Sequence, residues 1–226
     1  QDGTTLPLLG TPYKLKIGSA GSFLPIIDFN RSSEDFPIGI DLGSNNPGIE
    51  ISNLRIQYFA VGVRALANCH ELKIIKCIIS NNRNSGIFVE HSDDTQFIQN
   101  IVVNGDYGIV SRLCKNTALI HNTVFLNGAI SSNTGTSVSA VWCEAGHDYG
   151  AGLTDTGTIH LIGNIIMNTA GYAMTLFYDD IENNAVKSNY NLITLNNPSK
   201  YINLEDRVFY RNSSSSRRRF NSLASW

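Results

Sequence analysis

Four side chains have the types and the spacing for work on a sugar: Glu90, Arg112, Glu144 and His147. If Glu90 and Glu144 stand two rungs of a stacked sheet apart, their Cα atoms are about 9–10 Å from each other. Side-chain reach then brings the carboxyls into the ~6.5–9.5 Å window of an inverting glycosidase pair. An arginine between them could instead grip a substrate carboxylate through paired N–H bonds. His147, close to Glu144 in a glycine-containing stretch, is a candidate general acid or base. Phe88, Trp142 and Tyr149 offer aromatic faces for sugar rings. The same Glu–Arg–Glu row also has a plain structural reading, an outward salt-bridge ladder that offsets like-charge stacking. Trp142 is either a sugar platform or a residue covered by a neighbouring loop.

What could place these residues in one row is a repeat. "TQFIQNIVVNGDYG", "TALIHNTVFLNG" and "GTIHLIGNIIMNTAG" share a shape, an apolar run with an Asn in its middle, and put Asn100, Asn122 and Asn164 in register. Earlier segments put Leu54 and Cys77 at that place, and "AVKSNYNLI" puts Asn189 there. The step is about 22–25 residues, except for a longer one between 122 and 164. A second marker follows each time: Gly62-Val63, Gly86-Ile87, Gly108-Ile109, then Ala140-Val141 and Tyr172-Ala173. The runs are short, rich in Ile and Val, and bounded by Asn or Gly, which are strand signals. Three short strands per unit fit one coil of a parallel β-helix, in which equivalent side chains stack in columns. A buried Asn is costly alone. In a column each amide can bond to the amides above and below, so an inward Asn ladder turns a corner without orphaned polar groups.

The marker strands then give the two outward columns. One runs Arg64, Phe88, Val110 and Trp142. The other runs Leu66, Glu90, Arg112 and Glu144. The long step resolves into two insertions, near 128–139 and 145–157, on either side of "AVWCE". Insertions in a solenoid map to loops, often on the binding face.

The chain has 226 residues, with 17 basic and 19 acidic side chains and a net charge of -2. There is no basic stripe, so no nucleic-acid partner is expected; Arg217-Arg218-Arg219 beside a serine run reads as a solvated loop. No apolar run reaches spanning length, so no membrane insertion is expected. Cys69, Cys77, Cys114 and Cys143 form no CxxC pair, which gives no support for zinc. Cys69 and Cys114 share a column about 9.5 Å apart, too far for a disulfide. All four read as buried free thiols. His121 and His160 read as exposed strand histidines. Asp93-Asp94 and Asp179-Asp180 could supply calcium ligands, or be ordinary turn residues; no cofactor is otherwise expected.

With its Asn ladder and Gly markers the chain resembles the right-handed parallel β-helix proteins of the pectate-lyase-like superfamily, in particular secreted bacterial proteins with a "right-handed β-helix region". The resemblance covers most of the chain and implies the handedness. The expected fold is all-β: a single-stranded right-handed parallel β-helix of about 6–7 coils of ~22–24 residues. One domain is expected over 1–226, with incomplete N-terminal coils over 1–45, regular coils with the two insertions over 46–195, and a truncated last coil over 196–226. "GTPYKLKIGSAGSFLPIIDFN" resembles an early coil and "RVFYRNSSSSRRRFNSLASW" a late one, which implies that the remaining parts of a longer parent chain are partners. The family includes lyases that use Lys or Arg as base, commonly with calcium, but those patterns are not recognisable here. The resemblance thus implies a secreted or cell-surface protein that binds, or binds and cleaves, a polysaccharide or cell-surface glycan near Trp142 and Glu144. If it is an enzyme, it is a polysaccharide lyase or a glycoside hydrolase. A different class fits as well: a non-catalytic structural or adhesive solenoid, such as a surface adhesin or phage tail-fibre segment.

Overall fold

The computed structural model describes residues 16–18, 24–28, 37–127, 139–145, 157–169, 171–178, 186–195, 202–206 and 217–220. One coil consists of the strands Lys73–Ile75, Ile78–Ser80 and Ser85–Glu90. The next consists of Gln96–Ile98, Ile101–Val103 and Tyr107–Cys114. Each strand pairs in parallel with its counterpart one coil away. Three sheets result: two of seven strands, and one of eight whose last strand, Arg217–Phe220, runs antiparallel to Ile202–Asp206. Ile202–Asp206 pairs in parallel with Tyr172–Tyr178, and Arg217–Phe220 folds back along it. That pairing covers the edge of Ile202–Asp206, which a parallel solenoid otherwise leaves open.

The core is three stacked columns. Ile51, Ile74, Phe97, Leu119 and Leu161 line the first sheet. Ile56, Ile79, Val102, Val124 and Ile166 line the second. Val63, Ile87, Ile109, Val141 and Met174 line the third. All fifteen are at most 1% exposed. Burying each such side chain contributes roughly 1.5–3 kcal/mol, so the columns are the main source of stability. Their period of two along each strand fixes the register, because a one-residue slip would turn a whole column outward.

The ladder runs through the corner between the first and second sheets. Asn122 Oδ1 accepts from both the backbone N–H and the side-chain amide of Asn100, each at 3.0 Å. Asn164 Oδ1 does the same for Asn122, at 2.9 and 3.0 Å. Each amide also donates inward to a carbonyl of the preceding coil: Asn100 to Ile74 O, Asn122 to Phe97 O, Asn164 to Leu119 O, all at 2.8 Å. Cys77 stands where the ladder begins. Its N–H donates to Asn100 Oδ1, and its thiol takes the amide's place against Ile51 O at 3.8 Å.

At the far end the ladder residue is Asn191, not Asn189. Asn191 Oδ1 accepts from Asn164 N–H and Nδ2. Asn189 closes the strand Val186–Asn189, opposite Ile162. The most regular step therefore picks the wrong Asn of "NYN", although the corner keeps its length: Ile162 and Ile165 on either side stand opposite Asn189 and Leu192. The marker in that coil also moves by one: Val141 pairs with Met174, so Ala173 rather than Tyr172 stands opposite Ala140.

The residue before each ladder position adopts a left-handed backbone. Asn53, Lys76, Gln99, His121, Gly163 and Tyr190 all have φ between 54° and 63°. That conformation disfavours side chains bearing a Cβ by roughly 1–2 kcal/mol each. The stack holds it in place: Lys76 N–H donates to Ile98 O, Gln99 N–H to Ile120 O, and His121 N–H to Ile162 O, at 2.8–2.9 Å.

All four cysteines are free and buried. Cys69 N–H donates to Ser92 Oγ, and Ser92 N–H donates to Cys114 Sγ, so Cys69 and Cys114 do share a column with Ser92 between them. Burial pushes the Cys114 thiol from an ordinary 9.0 up to about 12, and burial drives Cys143 up as well. The unfolded chain releases these protons near pH 9, whereas the folded chain holds them. The native state therefore binds more protons above pH 9, and stability falls as pH rises from 9 through about 12. Two results are expected. The native protein shows no thiol titre with an aromatic disulfide reagent at pH 8, and four in urea. The urea midpoint drops between pH 8.5 and 10.5. A native titre at pH 8, or a midpoint that does not move, would contradict this account.

Candidate functional site

The outward face of the third sheet carries the row of charges and aromatics. Arg64 stands opposite Phe88, Phe88 opposite Val110, and Val110 opposite Trp142. Trp142 in turn stands opposite Thr175. Val110, although on the outward side, is 6% exposed, whereas Phe88 and Trp142 are half-buried. Glu90 stands opposite Arg112.

Beyond Ser111 the pairing slips: Ser111 faces Cys143, but Cys114 faces Ala145. Two residues, Arg112 and Leu113, therefore oppose the single Glu144, which is a β-bulge. Leu113 takes up the surplus with φ 53°. Arg112 lies between two carboxylates. Its Nη1 is 3.1 Å from Glu90 Oε1 and its Nε is 3.5 Å from Glu144 Oε2. Glu144 is only 4% exposed, and its Oε1 accepts from Trp142 Nε1 at 3.2 Å. A buried carboxylate needs such partners, since desolvation otherwise outweighs its attractions. Tyr107 meets Trp142 edge to face, with ring centroids 5.8 Å apart and planes at 70°. This contact orients the indole.

Glu90, Arg112 and Glu144 are thus brought into one network, with Trp142 attached to it and Phe88 in the neighbouring column. His147 and Tyr149 lie outside the described residues, as do 128–138 and 146–156, where the insertions fall. Tyr107 is not among the residues that the sequence singles out. The available signal was a bulky aromatic just before the Gly108 marker, in the coil adjoining Trp142. A second ion pair lies two strands before Val110: Arg64 Nε donates to Asp41 Oδ1 at 3.1 Å. The Arg64 guanidinium holds the Asp41 carboxyl below its usual range.

The acidic pair Asp93-Asp94 is engaged in coil stacking. Asp93 Oδ1 accepts from Lys115 N–H, and Asp94 Oδ1 accepts from Asn116 Nδ2, both at 2.9 Å. Among the described residues no group of three or more His, Cys, Asp or Glu side chains is placed to hold a metal ion. Asp179 and Asp180 lie outside those residues. His121 is exposed and His160 half-buried, and neither adjoins the row. No described helix is long and apolar enough to cross a membrane.

Parallel coils, an internal Asn ladder and a side-chain row on one outer face define a β-helix solenoid. The chain belongs to the family described as "Right handed beta helix region", whose model matches residues 15–141, more than half of the chain. No curated protein and no solved structure matches the chain.

Proposed function

We propose that the outward face of the third sheet binds a polysaccharide or cell-surface glycan, and that the protein works at the cell surface or after secretion. The observation that supports this most is the aromatic pair Tyr107–Trp142 joined to a network of charges. Trp142 is partly exposed, held edge-on by Tyr107, and tethered through its N–H to Glu144. A fixed, half-exposed indole beside hydrogen-bonding carboxylates suits a sugar ring, whose face is apolar and whose rim is polar.

Binding without cleavage fits the network better than hydrolysis does. An inverting pair needs both carboxyls open to the bond and to a water. Glu144 is 4% exposed and already bonded to Trp142 and Arg112. The other reading is a structural or adhesive solenoid. It is favoured by the exposed apolar side chains Ile101, Ile165, Met167 and Leu192 on the second sheet, since such patches mark contact surfaces.

The test is a panel of immobilised polysaccharides, scored for retention and for released product. Trp142→Ala and Tyr107→Ala are expected to weaken retention, the former by roughly tenfold or more, equivalent to about 1.4 kcal/mol or more. Their circular dichroism should match the unaltered chain. Product release abolished by Glu144→Gln would make this an enzyme instead. No retention on any polymer would put the structural solenoid first.

A further inference from the structure

Resting on the glycan-binding reading, we infer that the ligand of this face is an uncharged, hydroxyl-rich sugar chain, and not a uronate polymer. Both guanidiniums among the described side chains of the face are already engaged. Arg64 is paired with Asp41. Arg112 spans Glu90 and Glu144. Arg112 is half exposed, but its Nη1 and Nε already face Glu90 and Glu144, so a uronate carboxylate meeting its remaining N–H groups would share one guanidinium with two other carboxylates.

The balance of sign points the same way. Around Trp142, Glu90 and Glu144 set two negative charges against the one positive charge of Arg112, a surplus of one negative charge. Like charge brought to such a surface is repelled, and more strongly where the surface is partly desolvated. Ionised carboxylates accept hydrogen bonds and donate none. The Trp142 N–H is occupied by Glu144. The groups left open to a ligand are therefore chiefly acceptors and an indole face. Sugar hydroxyls supply the donors that such acceptors need, and the apolar side of the ring covers the indole.

Arg217 and Arg219 stand, by register, opposite Glu205 and Asn203. Their strand is three strands from that of Trp142, about 14 Å away by strand spacing. They are too distant to serve the same sugar residue.

The experiment compares each of several uronate polymers with its carboxyl-reduced form, which keeps the linkages and loses the charge. Polygalacturonate and alginate make two such pairs. Retention of the full chain is measured at low and high salt. The reduced polymers are expected to be held roughly tenfold or more tighter than their parents, with little dependence on salt because no ion pair to the ligand is formed. Glu90→Gln removes the surplus charge and frees Arg112 Nη1, so it should narrow that preference several-fold. Parent polymers held as well as or better than the reduced ones would overturn the inference and leave glycan binding intact. If neither member of any pair is retained, glycan binding fails, and the inference with it.

Discussion

Asn122→Ala is expected to lower stability by about 3–5 kcal/mol, far more than removal of an exposed amide. The reason lies in what the side chain serves. Its Oδ1 accepts from Asn100 N–H and Asn100 Nδ2, and its Nδ2 donates to Phe97 O and Asn164 Oδ1. Four bonds go at once, and the Asn100 backbone N–H is left unbonded at a residue that is 0% exposed. Each orphaned buried group costs roughly 1–3 kcal/mol, whereas an intact exposed bond contributes about 1 or less. Asn127→Ala is the comparison, since Asn127 is exposed and accepts a single bond from Thr169 Oγ1 at 3.3 Å; about 0.5 kcal/mol is expected there. Urea unfolding followed by circular dichroism measures both. A difference between the two under about 1 kcal/mol would show that the ladder is ornamental and that the apolar columns alone hold the corner.

The second large effect concerns Gly108. A Cβ there would lie 2.4 Å from Ala140 O and 2.4 Å from Val124 Cγ1. One obstacle is backbone of the next coil, so no rotamer change relieves it. Gly108→Val is therefore expected to part the strands Tyr107–Cys114 and Ser139–Ala145 and to cost at least about 3 kcal/mol. Gly43→Ala separates steric from conformational cost. Gly43 has φ 59° and open space around its Cβ position, so only the left-handed penalty of about 1–2 kcal/mol applies. Thermal and urea unfolding of both variants decide the matter. If Gly108→Val proves no worse than Gly43→Ala, the close approach of the coils is not what keeps this position small.

These two positions also show why much of the fold could be read from the sequence. Stacking demands the same answer from every coil, so Asn100, Asn122 and Asn164, or Gly62, Gly86 and Gly108, repeat the same residue at a nearly fixed step. The reading slipped where the step changed. Regular spacing aligns Asn189 in place of Asn191, and Tyr172 in place of Ala173, although the strands on either side of the ladder corner keep step: Ile162 and Ile165 stand opposite Asn189 and Leu192. The left-handed corners left no trace at all. Asn53, Lys76, Gln99, His121 and Tyr190 have little side-chain chemistry in common. What they share is a backbone conformation fixed by carbonyls in the next coil, and such a constraint leaves side-chain identity free. The site was legible in part. Counting along strands put Glu90, Arg112, Glu144 and Trp142 on one face. It could not show that Glu144 is buried, that Trp142 is bonded to it, or that Tyr107 braces the indole, because those facts depend on contacts between coils.

The bulge at Arg112–Leu113 has one further consequence. A regular solenoid is a ruler whose marks all look alike, and a polymer lying along it could sit at any mark. Among the described strand pairs only the one joining Tyr107–Cys114 to Ser139–Ala145 breaks step. That single surplus residue gives the ruler a zero. A repeating ligand laid parallel to the axis would find one place where the spacing of groups differs from all the others, so its phase along the protein would be set by a defect in the repeat and not by the repeat.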